Sequence, residues 1–357
     1  MILSFDPAVF YNTDQGPYGI ATGVFTTSGN TDLAIACNQN DDVTILFGNG
    51  DGTFGPTANY SVGANPTAVT AADFNNDGNI DLAVTDSNGS DIAILFGNGN
   101  GTFLPAVAIS ASSNPINIVS ADFNNDGNMD LAITDIGNNI VGVFLGNGNG
   151  TFQAMVPYSI SAPADAIIAA DFNNDGVIDL AVACGDNNVN ILLGIGDGTF
   201  MAASSVPAGS DIMDIAANDF NGDGILDIAA TNYSSNNVAI LLGIGDGTFQ
   251  PPTFTPAGTG PTGITTADFN NDGNVDLAVT NTINNRVAVI LGNGNGTFQW
   301  AQYYATGDYP SDIIPGDFNG DGKPDLATTN FYSYNAAILI NKTPVRGIMH
   351  FKTEAIV

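Results

Sequence analysis

Basic side chains are almost missing from this chain. Its 357 residues hold five Lys and Arg against 36 Asp and Glu, a formal net charge of −31. Nucleic-acid binding takes its affinity from Lys and Arg at phosphates, so so acidic a chain excludes DNA and RNA as partners and disfavours anionic membrane surfaces. Glu354 is the one glutamate and His350 the one histidine. No run reaches the roughly 18 apolar residues of a membrane helix, so no membrane insertion is expected. Met1-Ile2-Leu3-Ser4-Phe5-Asp6 lacks the charged and apolar regions of a signal peptide, as a mature or excised region would. Hydrophobic content of 44% suits a folded protein, while charged content is only 11%.

What the chain does have is a nine-residue phrase. Asp73-Phe74-Asn75-Asn76-Asp77-Gly78-Asn79-Ile80-Asp81 returns nearly unchanged at Asp122, Asp171, Asp219, Asp268 and Asp317, each 48 or 49 residues after the last. Side-chain oxygens fall at positions 1, 3, 5 and 9 and Gly at position 6. The candidate ligands are therefore Asp73, Asn75, Asp77 and Asp81; Asp122, Asn124, Asp126 and Asp130; Asp171, Asn173, Asp175 and Asp179; Asp219, Asn221, Asp223 and Asp227; Asp268, Asn270, Asp272 and Asp276; and Asp317, Asn319, Asp321 and Asp325. Position 7 varies among Asn79, Asn128, Val177, Ile225, Asn274 and Lys323, so it is expected to ligate through its backbone carbonyl.

Oxygen-only ligands suit calcium and suit zinc or copper poorly. Without a cation, two carboxylates about 4 Å apart repel by roughly 4 kcal/mol at an effective dielectric near 20. Six calcium ions, one per loop, are thus expected as structural glue. Three Asp in each of six loops make 18 of the 36 acidic residues, and six divalent ions would bring the charge from −31 to −19. An EF-hand is excluded, because position 12 is Val84 rather than a bidentate Glu. Turn chemistry alone also favours Asn, Asp and Gly, but six copies on the same nine positions argue against it.

The frame extends beyond the loops. In the second repeat Ala68 to Ala72 leads into the loop, Leu82 to Thr85 follows, Ile92 to Phe96 is a third strand, and the stretch after Phe103 a fourth. Turn signals separate all four, and helical periodicity is absent. From Pro17 to Phe54 an earlier repeat keeps the frame but not the ligands: Val24 stands at position 1 and Ser28 at position 5. Residues 4–14 align with Thr53 to Gly63 and read as the last strand of a repeat whose other strands close the chain near Asn341. Seven four-stranded units then form an all-β, seven-bladed β-propeller over residues 1–341, closed by pairing the N-terminal strand with the last blade, with residues 342–357 as a tail. Cys37 and Cys184 occupy one register three repeats apart, nearly opposite in such a ring, so no disulfide is expected.

The loop D-F-N-N-D-G-x-x-D-L-A followed by L-G-N-G-D-G-T-F resembles the FG-GAP or VCBS repeat family, which includes the propeller of integrin α subunits and secreted bacterial proteins. The resemblance spans residues 4–341. It implies calcium in the loop between the first two strands of a blade, and millimolar calcium is an extracellular condition, so the loops point to a secreted or cell-surface protein with a role in adhesion or surface recognition.

In such a blade the loops alternate between faces. The face opposite the calcium loops carries sequence variation and the aromatic residues Tyr18, Tyr233, Tyr309, Phe331, Tyr332 and Tyr334, candidates for binding a protein or glycan partner. The alternative for these rings is to cover the seam where the chain ends meet. Sequons at Asn100, Asn149 and Asn295 belong to the repeating turn, where other repeats have Asp. The leading expectation is a non-enzymatic, monomeric propeller acting as a recognition scaffold; the alternatives are a polysaccharide lyase or hydrolase, and a passive spacer within a larger surface protein.

Overall fold

A computed structural model describes residues 3–344. The described chain is all strand and turn, arranged as seven four-stranded antiparallel sheets in a β-propeller. Blade 1 holds Pro17–Gly23, Asp32–Cys37, Asp42–Gly48 and Phe54–Ser61 from the axis outward. Blades 2 to 6 repeat that order. Blade 7 takes its inner three strands, Pro310–Gly316, Asp325–Asn330 and Asn335–Leu339, from the end of the chain and its outer strand, Val9–Asn12, from the beginning. Val9 pairs with Ile338 and Asn12 with Asn335, so the expected closure is present, and Phe5 adds a bridge to Asn341. Most of the expected tail, from residue 345 on, lies outside the described residues.

The second and third strands of a blade are sandwiched between neighbours, which is why they read as continuous small and β-branched apolar runs. Asp81–Asp86 is buried at every residue, and Ile92 to Leu95 are buried likewise. Outer strands are mostly exposed, as in Val107–Ser110, where Ile109 alone is half-buried. Cys37 and Cys184 are buried free thiols.

Blades are stapled to one another by a ring of aromatic pairs. The loop Phe of each blade meets, edge to face, the Phe that follows the third-to-fourth turn of the next: Phe25–Phe103 at 5.4 Å, Phe74–Phe152 at 5.8 Å, Phe123–Phe200 at 5.5 Å, Phe172–Phe249 at 6.0 Å, Phe220–Phe298 at 5.6 Å, Phe269–Phe5 at 6.1 Å and Phe318–Phe54 at 5.6 Å. Such pairs contribute about 0.5–1.5 kcal/mol each beyond the area they bury. Backbone bonds run beside them: the N–H of Gly150 donates to the carbonyl of Phe74 at 3.0 Å, and that of Gly52 to Phe318 at 2.8 Å. The recurring D-F and G-T-F phrases are therefore two halves of one inter-blade joint.

Candidate functional site

Two regions carry chemistry: the ring of nine-residue loops on one face, and the axial channel that opens on the other.

In each loop the first Asp turns back on the chain. Oδ1 and Oδ2 of Asp73 accept the N–H groups of Asp77 at 3.2 Å and Gly78 at 2.8 Å, and Oδ1 of Asp77 accepts that of Asn79 at 2.8 Å. Gly78 sits at φ +86° with open space where a Cβ would be, so glycine is demanded by conformation and not by crowding. The third-position Asn accepts the N–H of position 5 in five loops, for example Asn75 from Asp77 at 2.9 Å. The loop at Asp268 differs. Asn270 is 2% exposed and its Oδ1 is buried with no hydrogen-bond partner.

Position 9 has a separate job. The Asp81 carboxylate is fully buried and accepts the N–H of Phe74 at 3.0 Å and of Gly97 at 2.8 Å, pinning the loop to the third-to-fourth turn. The same two bonds, 2.7 to 3.0 Å, recur at Asp130, Asp179, Asp227, Asp276 and Asp325. Blade 1 keeps them too: Asp32 accepts Phe25 at 2.9 Å and Gly48 at 2.8 Å although the other ligand positions are gone. Burial pushes Asp81 up to about 6 against the pull of those two amides.

As a test of fit to a divalent cation, the loops offer only oxygen, mostly carboxylate, within nine residues, and one of them leaves a buried amide oxygen unpaired. Each carboxylate oxygen bonded to one amide retains a second lone pair. Among the described residues no three Asp, Glu, His or Cys side chains stand close enough together to hold a metal by themselves, so the Asn oxygens and backbone carbonyls are needed to complete a shell. The residues present fit a hard cation.

The axial channel is formed where the first strands converge, and holds a cavity of about 240 Å³. Tyr18 and Tyr309 line it together with Asp165, Asp214 and Asp312, and no Lys, Arg or His does. Oδ2 of Asp214 accepts the N–H of Ile264 at 2.9 Å, and Oδ2 of Asp312 that of Ile20 at 3.1 Å, so each reaches across to the next inner strand. Burial, then the charge of Asp312, lifts Asp214 above the usual carboxylate range, and burial lifts Asp312 as well. Asp165 is also raised by burial, although its surface is open to the channel; protein walls it on the remaining sides. Tyr18 is pushed up to about 12 by burial and then by Asp165.

Four of the six expected aromatic residues gather at the mouth. Tyr309 meets Phe331 at 6.0 Å and Tyr332 at 5.1 Å, and Tyr18 meets Phe331 at 6.3 Å across the junction of blades 7 and 1. That contact also covers the junction, as the alternative reading of these rings had it. Tyr332 is 61% exposed. Tyr233 touches the position of Gly260 in the neighbouring link, and Tyr334 lends its carbonyl to the N–H of Thr13. Tyr309 holds φ +57°, where Gly16 and Asn65 stand in other blades, a strained choice for a bulky residue. The three channel aspartates escape the sequence reading because they occupy different registers, Asp165 one residue into its strand and Asp214 and Asp312 two. An alignment of first strands for outlying acids would have found them.

Comparison with known proteins settles the family. The model of the FG-GAP-like repeat matches residues 25–84, 73–133, 122–182, 171–230, 219–279 and 268–328. The chain belongs to the FG-GAP-like repeat family. No curated protein matches it. Among solved structures it is similar to BBS1N crystallised in complex with ARL6DN, at 13% identity and TM-score 0.67, covering 96% of this chain and 99% of that one. It is also similar to an Agrocybe aegerita lectin described as recognising non-reducing terminal N-acetylglucosamine, at 18% identity and TM-score 0.59 over 88% and 86% of the chains. A catalytically inactive virginiamycin B lyase from Staphylococcus aureus matches at 15% identity and TM-score 0.64 over 94% and 99%. These likenesses show the propeller fold.

Proposed function

We propose that this FG-GAP propeller is a non-enzymatic recognition module, stabilised by calcium in its six loops and working outside the cell as a secreted or surface-attached monomer. Its protein or glycan partner docks on the face away from the loops, around the channel mouth. The observation that carries the calcium reading is the six-fold oxygen-only loop, sharpened by the unpaired buried oxygen of Asn270. Millimolar calcium is an extracellular condition, and the net charge of −31 repels anionic intracellular polymers. Tyr332 and its neighbours supply exposed rings beside polar loops, the composition of a binding surface. The test is binding of calcium-loaded protein to a panel of matrix proteins and glycans, with Tyr332→Ala as the variant expected to weaken it. Binding unaffected by that variant moves the partner elsewhere.

A second reading is favoured by one observation. Asp214 and Asp312 face one cavity, and burial holds both carboxyls above the usual carboxylate range, where a carboxyl can serve as a general acid. Release of reducing or unsaturated ends from a polysaccharide, abolished by Asp214→Asn, would establish that enzyme reading over the recognition role.

A further inference from the structure

Trp300 is the one tryptophan of the chain, and it is 85% exposed. Leaving an indole in water forgoes a large burial gain, so its setting calls for a cause. It stands two residues beyond Phe298, on the outer rim of blade 6. At the same register the other blades have Pro56, Pro105, Ala154, Ala202, Pro251 and Pro7.

A second register repeats the contrast. Midway along the outer strands, the residues paired with the third strand are Asn59, Ala108, Pro157 and Ser205 in blades 1 to 4, but Phe254, Tyr303 and Phe10 in blades 5, 6 and 7. Those three rings are 53%, 47% and 50% exposed. Three consecutive blades thus turn aromatic faces outward where four do not. Between blades 5 and 6 the rings of Phe254 and Trp300 line a groove of about 440 Å³ with Thr253, Thr255, Asn295 and Gln299. Not one ionisable side chain lines it, on a chain of net charge −31. Between blades 6 and 7, Phe10 and Tyr303 line a second groove of about 410 Å³, with Asp6 as its charged member.

We propose that the outer rim of blades 5 to 7 binds a neutral glycan, with one sugar stacked in the Trp300–Phe254 groove and the chain continuing toward Tyr303 and Phe10. A pyranose presents an apolar C–H face that suits an aromatic ring and a girdle of hydroxyls that need both donors and acceptors. Gln299, Asn295 and the two threonines offer both. An uncharged lining gives an ionic ligand no partner, and the acidity of the chain repels an anionic one. This site shares no lining residue with the channel, so it and the docking proposed above stand or fall independently.

A lone tryptophan makes its own reporter. The calcium-loaded full chain is titrated with neutral oligosaccharides, following Trp300 fluorescence, with an extended peptide as the competing occupant of the outer strand edge. Saturable emission change with a neutral oligosaccharide is expected. Calorimetry should show Trp300→Ala weakening the binding by about tenfold or more, close to 1.4 kcal/mol, with its melting temperature unchanged because the ring is exposed. Phe254→Ala should weaken it less, and Met201→Ala, at an exposed position of blade 4, should leave it intact. No saturable response to any neutral glycan, binding that survives Trp300→Ala, or saturation by the peptide alone overturns the proposal.

Discussion

Blade 1 and blade 2 are the same sheet with and without a complete loop, and their difference separates two jobs that the nine-residue phrase performs at once. Blade 2 has Asp73, Asn75 and Asp77 at positions 1, 3 and 5; blade 1 has Val24, Thr26 and Ser28. In blade 1 the hydroxyls of Thr26 and Ser28 bond each other at 2.7 Å, and Gly29 keeps φ +77°. Asp32 nonetheless makes the two amide bonds of Asp81, and Phe25 the same aromatic joint as Phe74. Position 9, the Phe and the Gly therefore belong to the fold. Positions 1, 3 and 5 are what blade 1 gave up, and in blade 2 they carry two of the three carboxylates of the loop.

The largest test of this contrast is calcium removal. A site held at 100 times its dissociation constant adds about 2.7 kcal/mol, so six together rival the whole stability of a domain, about 5–15 kcal/mol. Thermal scans with calcium and with EDTA should differ by tens of degrees, and elemental analysis should count close to six ions; equal melting curves would reduce the loops to turns.

Next in size is the ninth position. Asp32→Ala orphans two buried amides and should cost about 3 kcal/mol by chemical denaturation. Its cost should be the same in calcium and in EDTA. Asp81→Ala should cost more in calcium than in EDTA, because there the cation site fails with the staple. If Asp32→Ala proves calcium-dependent, blade 1 is not free of metal.

A smaller effect distinguishes blade 2 from blades 5 and 7 at the other end of the same strands. Asn232 donates to Asn237 at 3.0 Å and Asn330 to Asn335 at 2.8 Å, whereas blade 2 sets Asp86 directly opposite Asp91. Oδ1 of each of these aspartates is buried with no partner. Burial above all lifts Asp86 to about 8, the amide of Gly63 opposing and the charges of Asp91 and Asp41 adding to the rise. The folded state thus holds this proton more tightly than the unfolded chain, whose aspartates titrate near 3.9. Stability from the pair is fully present below that value and is lost as pH rises through about 8. Asp86→Asn should flatten this slope and leave the variant the more stable of the two above that pH; parallel melting-temperature profiles would refute the raised carboxyl of Asp86.

The smallest expected change is a gain. Val24→Asp, Thr26→Asn and Ser28→Asp together should give blade 1 a loop, raising the calcium count by one and stability in saturating calcium by about 2.7 kcal/mol. An unchanged count would mean that the backbone of blade 1 has drifted from the binding shape.

How much of this was legible beforehand follows the period of the repeat. Each blade is a local unit, so the 49-residue recurrence fixed the strand order, the loop positions and the closure through residues 4–14, and Val9–Asn12 does pair with the last blade. The second job of position 9 was hidden, because an Asp in a ligand pattern reads as a ligand whether or not it also caps two amides. The six aromatic candidates were visible as residue types, but their gathering was not. Tyr18 and Phe331 are more than three hundred positions apart in the chain and meet only because the ring closes.

Composition and repeat by themselves determined a seven-bladed all-β ring and six oxygen-rich loops, since each of these depends on short-range pattern. The tertiary structure alone decided that Asp165, Asp214 and Asp312 share one channel and that Phe254 and Trp300 share one groove. Those residues lie in different blades, and only the rotation from blade to blade about a closed axis brings them face to face.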